Sequence, residues 1–316
     1  MLRQCCICAL LAAGTAAADE LRQSREEAWW TGPLLAPSPA ALPQGRALLE
    51  PYLFDVITSG PTAHDLGSLT YMLYGVTDRV SAGLIPRFGY NQPSGAPDSS
   101  GVGLGDLTLQ AAYSLTQYHD GRSTPDLSLV VQETLPTGHY DRLTRASDGF
   151  GAGAYTTSLA VYCQDYFWMP NGRILRGRLD LTYAISSSVS VQGLSVYGTT
   201  DGFTGRAYPG DSFTADAAGE YSVTSNWVLA LDVVYQHNAS TSVSGSLPGG
   251  AAPPGAGTPA MPYESESGSS WSIIFAPAVE YNFSRAVGVI TGVRIIEIGR
   301  NTTASVTPAV AVNMVF

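Results

Sequence analysis

The chain reads as an all-β protein: an antiparallel transmembrane β-barrel of about 12 strands, with long extracellular loops and short periplasmic turns. Three observations predict this. Period-2 alternation recurs to the last residue, charges are sparse although no long apolar run follows the N-terminus, and the gaps between strands alternate between short and long.

Composition sets the frame. Of 316 residues, 45% are hydrophobic and 13% charged, with 34 glycines, 20 prolines and 17 tyrosines. A soluble domain carries about 25% charged residues, so this surface needs few. A helix crossing a bilayer needs about 20 consecutive apolar residues, and past the N-terminus none occur. Alternating strands reconcile the two facts, one face meeting lipid and the other water. The net charge is −10 and every cationic side chain other than histidine is arginine. Nucleic acid, which calls for a basic stripe, is excluded as a partner.

The first 18 residues have the order of an export signal: Arg3, an apolar core from Ile7 to Ala13, then Ala16-Ala17-Ala18 with cleavage expected before Asp19. Cys5, Cys6 and Cys8 precede the cut and lack the small-residue context of a lipidation site. Cys163 then stands alone, which allows neither an internal disulfide nor a thiolate metal cluster. No metal and no cofactor are expected. Residues 19–46 form an irregular lead-in, polar at first, then Trp29-Trp30, then Pro33, Pro37, Pro39 and Pro43. That composition supports neither a helix nor a central strand. Two placements are open, a periplasmic tail or a partial plug tucked into the barrel mouth with its tryptophans down. The barrel takes residues 47–316.

Alternation places strands at 47–58, 65–76, 79–90, 104–116, 125–136, 152–169, 173–187, 211–223, 226–238, 269–283, 286–298 and 304–316. Even-numbered gaps such as Thr77-Asp78, Pro170-Asn171-Gly172 and Thr224-Ser225 are turn-sized, with 117–124 the exception. The middle odd-numbered gaps are long and rich in Gly, Ser and Pro, among them 188–210 and 239–268. An even count puts both termini on the periplasmic side. In the ninth strand Trp227, Leu229, Leu231, Val233 and Tyr235 oppose Val228, Ala230, Asp232, Val234 and Gln236. The last strand carries Val306, Val310, Val312, Met314 and Phe316 on one face, the alternating aromatic-ended pattern that the outer-membrane assembly machinery reads. Two segments fit less well: 47–58 has no clearly apolar face, and 65–76 is mixed. Glu133 falls on the lipid face of its strand, which requires that it lie above the hydrocarbon or that a bulge shift the register.

Several stretches, in order along the chain, resemble the outer-membrane family associated with the MetA pathway of phenol degradation. They are Thr31-Gly32-Pro33-Leu34, Leu42-Pro43-Gln44-Gly45, Glu50-Pro51-Tyr52-Leu53-Phe54, Gly103-Leu104-Gly105-Asp106, Leu135-Pro136-Thr137-Gly138, Ser195-Val196-Tyr197-Gly198-Thr199 and Pro277-Ala278-Val279-Glu280-Tyr281-Asn282. The resemblance implies an outer-membrane channel for hydrophobic compounds and supplies no binding residues.

With apolar alternates facing lipid, charged alternates face the lumen: Arg79, Arg87, Asp106, Arg176, Arg178, Asp180, Asp216, Glu220, Asp232, Glu280 and Arg294. Such groups either select solutes along a pore or pair across strands and fill a narrow barrel; twelve strands lie between a filled barrel and an open one. Arg176, Arg178 and Asp180 share a face, roughly 6.6 Å apart at strand rise. That spacing suits an anion held by two guanidinium forks, and it equally suits cross-strand Arg–Asp pairing. His64, His119, His139 and His237 fall at strand ends or in loops, and Gly149-Phe150-Gly151-Ala152-Gly153 lacks the context of a phosphate cradle. No catalytic residue emerges, and the chain is not expected to be an enzyme. The expected function is passive diffusion of small molecules, aromatic or hydrophobic ones included, through an outer-membrane barrel of a Gram-negative bacterium. Its partners would be outer-membrane lipid and the barrel-assembly machinery, the latter through the strand ending in Phe316. The competing expectation is a non-conducting barrel that acts through its surface loops.

Overall fold

The fold is known from a computed structural model, which describes residues 22–60, 62–119, 124–249 and 260–316. The export signal expected at 1–18 lies outside the described residues. In chain order the strands are β1 (Ala47–Thr58), β2 (Ala63–Thr77), β3 (Val80–Ile85), β4 (Arg87–Gln92), β5 (Gly103–Leu104), β6 (Leu107–Thr116), β7 (Asp126–Leu135), β8 (Thr156–Trp168) and β9 (Ile174–Ser186). There follow β10 (Val189–Gln192), β11 (Thr204–Tyr208), β12 (Ser212–Ser222), β13 (Trp227–Asn238), β14 (Ser242–Leu247), β15 (Met261–Glu266), β16 (Ser270–Asn282), β17 (Val287–Arg300) and β18 (Ser305–Val315).

Twelve antiparallel wall strands close into a barrel. The third is β3 continued by β4, and the fourth is β5 continued by β6. Strand β1 pairs with both β2 and β18, so the wall has no free edge. At the seam, Ala47 N donates to Phe316 O at 3.2 Å and Phe316 N to Ala47 O at 2.9 Å. The third strand splits at Pro86, which has no N–H to give to the ladder. Across the break Gly105 N donates to Arg87 O at 2.8 Å. Among the described residues no helix is long and apolar enough to cross a membrane; strands make the crossing.

Alternation decides which side chains meet lipid. In β13, Val228, Ala230, Asp232 and Val234 are buried, whereas Trp227, Leu229 and Leu231 are exposed. The two segments that read poorly follow the same rule. Leu53, Leu66, Met72 and Tyr74 point outward and exposed. The inward row of β1, with Tyr52, Phe54 and Val56, is itself apolar because it packs inside the lumen, so no contrast shows in the sequence. Between Glu133 and Thr157 the β7–β8 ladder runs without a bulge. Glu133 lies near the extracellular end of β7, where Thr157 Oγ1 donates to it at 2.6 Å.

The long gaps correct one expectation. Segments 188–210 and 239–268 are not open loops. Each carries a hairpin, and the two join as a separate four-stranded sheet, β10-β11-β14-β15. Val189, Val191, Phe203, Ala207 and Val243 bury a small core beneath it, to which Ala154 and Tyr140 contribute from the loop after β7. Gly205 and Gly245 face each other across the β11–β14 ladder, and a Cβ on either would lie under 3 Å from the Phe203 ring. The Tyr197 hydroxyl donates to Ala152 O, tying two loops together. Burial pushes that phenol up to about 12, with the Asp106 carboxylate adding to the effect, so it keeps its proton through the neutral range.

The lumen, its occupant and a candidate solute cavity

From Arg22 to Arg46 the described chain runs along the inner face of the barrel. It begins at the short-turn end, where Gln23 N donates to Gly172 O at 2.9 Å and Trp168 Nε1 to Gln23 O at 2.9 Å. Trp29 N donates to Ser225 O at the next turn. The chain then rises into the lumen and crosses it. Thr31 N and Gly32 N both donate to Glu280 Oε2, at 2.6 and 3.3 Å. Gly32, at φ +127, takes a conformation closed to most L-residues and brings its amide to the same oxygen. At the deepest point, midway up β13, the Asp232 carboxylate accepts from Leu34 N, Leu35 N and Ala36 N at 3.1, 3.3 and 3.0 Å. Returning, the segment receives Arg178 Nη1 on Ala36 O at 2.7 Å and Ser128 Oγ on Pro39 O, and gives Leu42 N to Ser81 Oγ at 2.9 Å. It leaves beside Gly75, to whose carbonyl Gly45 N donates, and becomes β1.

A segment without secondary structure has no ladder for its amides, and buried amides need acceptors. Lumen carboxylates supply them. The apolar side chains of the segment are matched too: Leu34 packs on Ala230, Ala276, Ala278, Ile290 and Ala311, and Leu35 on Val234, Ile274 and Ile296. Trp30 lies under Arg176, whose guanidinium carbon is 4.4 Å from the ring centroid, a cation–π contact.

The predicted lumen charges have distinct places. Arg176 pairs bidentately with the fully buried Glu220, and Arg178 Nε lies 3.3 Å from Glu220 Oε2. Both guanidinium forks are therefore spent on the protein rather than left for a solute. Asp180 and Asp216 face each other across the β9–β12 ladder; both are buried, and neither oxygen of Asp180 has a hydrogen-bond partner. Glu280 and Asp232 hold the lead-in. Asp106 accepts from Gly138 N at 2.9 Å and Ala152 N at 2.7 Å, fixing the loop that follows β7. Arg294 lies opposite Thr307, half-buried. Arg79 departs from expectation: it stands exposed in the turn between β2 and β3 rather than on a wall strand, because the tight turn starts one residue later than the sequence suggested. Arg87 makes no side-chain hydrogen bond or ion pair among the described residues.

Arg87 borders a cavity of about 180 Å³ on the extracellular side of the lead-in. Register arranges its wall in rows. Leu69 and Arg87 form one; Phe54, Gly67 and Gly89 the next; Val56, Asp65 and Asn91 the outermost. Aromatic rings occupy the space over these glycines. A Cβ at Gly67 would stand 2.2 Å from the Phe54 ring, and one at Gly103 would stand 1.9 Å from the Phe150 ring, which also covers Gly89 at 3.0 Å. The sequence reading missed this site. Phe150 sits in a glycine-rich stretch between strands, and only strand register reveals that three glycines from three wall strands form one track.

Comparison with known proteins places the chain. The family model described as "Putative MetA-pathway of phenol degradation" matches residues 42–253. Among solved structures, an outer membrane channel from Pseudomonas putida F1 is 17% identical at a TM-score of 0.63, over 89% of this chain and 100% of that one. The NanC porin is 9% identical at a TM-score of 0.46, over 84% of this chain and 98% of that one. No curated protein matches.

Proposed function

The chain belongs to the family of the MetA pathway of phenol degradation, and from that premise we propose that it is an outer-membrane channel for small, aromatic or hydrophobic molecules, which cross by passive diffusion. The observation that carries this reading is how the lumen is occupied. The obstruction is a single irregular segment, held by side-chain hydrogen bonds and small apolar contacts, beneath a cavity lined by aromatic rings. A barrel of eight strands is filled by its own side chains; here the twelve-stranded wall leaves room that the lead-in takes up, and a segment so held can be displaced. The P. putida protein of like fold is itself described as an outer membrane channel. Residues 1–18 serve as the cleaved export signal, and the strand ending in Phe316 as the signal for barrel assembly.

The test is solute flux into liposomes carrying the full-length protein, beside a variant lacking residues 24–41. The reading expects measurable entry of small aromatic solutes with the full chain and faster, less selective entry with the deletion. No flux from either protein would sink it. The cap built from two loop hairpins favours the second reading, a non-conducting barrel that works through its outer surface. That reading expects no flux from the full chain and a surface phenotype that disappears when 188–210 or 239–268 is shortened.

A further inference from the structure

We propose that the cavity lined by Phe54 and Phe150 is a binding site for single-ring aromatic carboxylates, the ring held against those two phenyl rings and the carboxylate on Arg87. The inference deepens the channel reading and rests on it only for its physiological meaning.

The physical case has three parts. First, size: an apolar cavity of about 150 Å³ takes up benzene, so the 180 Å³ here accommodates one ring and a small substituent. Second, shape: two phenyl rings lie against a wall stripped of side chains at Gly67, Gly89 and Gly103. Both rings border the cavity, so a third ring within it meets aromatic side chains. Third, charge: Arg87 lines the same cavity as the two rings, where a guanidinium fork can take a carboxylate carried on the bound ring. The two buried arginines of the lumen, Arg176 and Arg178, are engaged with Glu220, whereas Arg87 is exposed. Among the described arginines Arg87 alone borders the cavity, and with no side-chain partner among the described residues its fork suits bidentate recognition of a carboxylate. Asp65 stands at the opposite, outer rim, two residues from Gly67. Its negative charge opposes a carboxylate there and favours the orientation with the carboxylate inward. A neutral ring such as benzyl alcohol meets the same walls but gains nothing from the guanidinium.

Calorimetric titration of the full-length protein in detergent with benzoate, and separately with benzyl alcohol, tests the site without transport. The expected result is binding of benzoate at least about tenfold tighter than of benzyl alcohol, since hydrogen bonds to charged groups contribute about 1.5–3 kcal/mol. Arg87→Gln should abolish that advantage and leave benzyl alcohol unaffected; Arg142→Gln, on the outer cap, should change neither. Equal affinity of the wild-type protein for the two compounds overturns the proposal, and this comparison needs no variant to fold. Undiminished benzoate binding by a heat-modifiable Arg87→Gln protein overturns it as well. Parallel flux measurements separate the two readings. Benzoate bound at Arg87 without flux leaves the site standing and removes the channel, whereas flux without Arg87-dependent binding does the reverse.

Discussion

Arg176 illustrates how side chains divide the labour inside this lumen. Its guanidinium is buried, paired with Glu220 on the neighbouring strand and stacked on Trp30 of the lead-in. Replacing it with Met would strand a buried carboxylate, at a cost of about 3–5 kcal/mol. We expect Arg176→Met to lower markedly the temperature at which the compact band disappears on SDS gels. Asp232 makes a different prediction. Three successive amides of the lead-in share its carboxylate, and a buried donor left unmade costs about 1–3 kcal/mol. In Asp232→Ala the segment should detach rather than stay buried unsatisfied. Limited proteolysis should then cut between residues 30 and 42 in the variant and spare the wild type. The sequence showed that these charges point inward, since period-2 alternation fixes the face. It left open whether they serve solutes or the protein, because a neighbouring strand and a segment some 200 residues away supply the partners.

Among the elements, the wall strands were legible nearly to their ends because each is bounded by a turn and carries its own alternation. The cap hairpins were not. Strands β10, β11, β14 and β15 are four to six residues long, rich in Ser and Gly, and flanked by further Gly and Pro, so they resemble loops until they pair. The interruption at Pro86 was equally invisible, because alternation continues through it. The glycine track needed register, which no single strand encodes. It yields a contrast: Gly103→Ala places a methyl 1.9 Å from the Phe150 ring, whereas a Cβ at Gly101 meets nothing within 4 Å. Overpacking costs about 1–3 kcal/mol. Gly103→Ala should therefore lower thermal stability and weaken benzoate binding, while Gly101→Ala leaves both unchanged. The cap carries a pH prediction. Tyr197 holds its proton more tightly folded, near 12, than unfolded, near 10. Its contribution is full below about pH 10 and fades as pH climbs through 12. Tyr197→Phe should flatten that alkaline loss, measured by hydrogen exchange of the 195–204 amides.

At the scale of the molecule, a closed ring of strands satisfies every wall amide without water, which lets leucine and tryptophan face lipid. The same closure makes the folded form resist SDS until heated, so unboiled protein should migrate faster than boiled protein, and its circular dichroism should show strand and little helix. An intact barrel that travelled as a detergent-free soluble species would contradict the architecture.

The lead-in enters and departs through one mouth. Its first anchors are at Gly172 and Trp168, and its last at Gly75, all at the short-turn end. It is therefore a bight of rope lowered into the barrel, not a cord threaded through. A tug from the periplasm on its Gln23 side would undo Gln23, Trp29, Thr31 and Leu34 one after another, like a zipper. Pressure from the outer surface would load all of those bonds together. The arrangement yields readily to work done from within the cell envelope and stiffly to anything pushing in from outside.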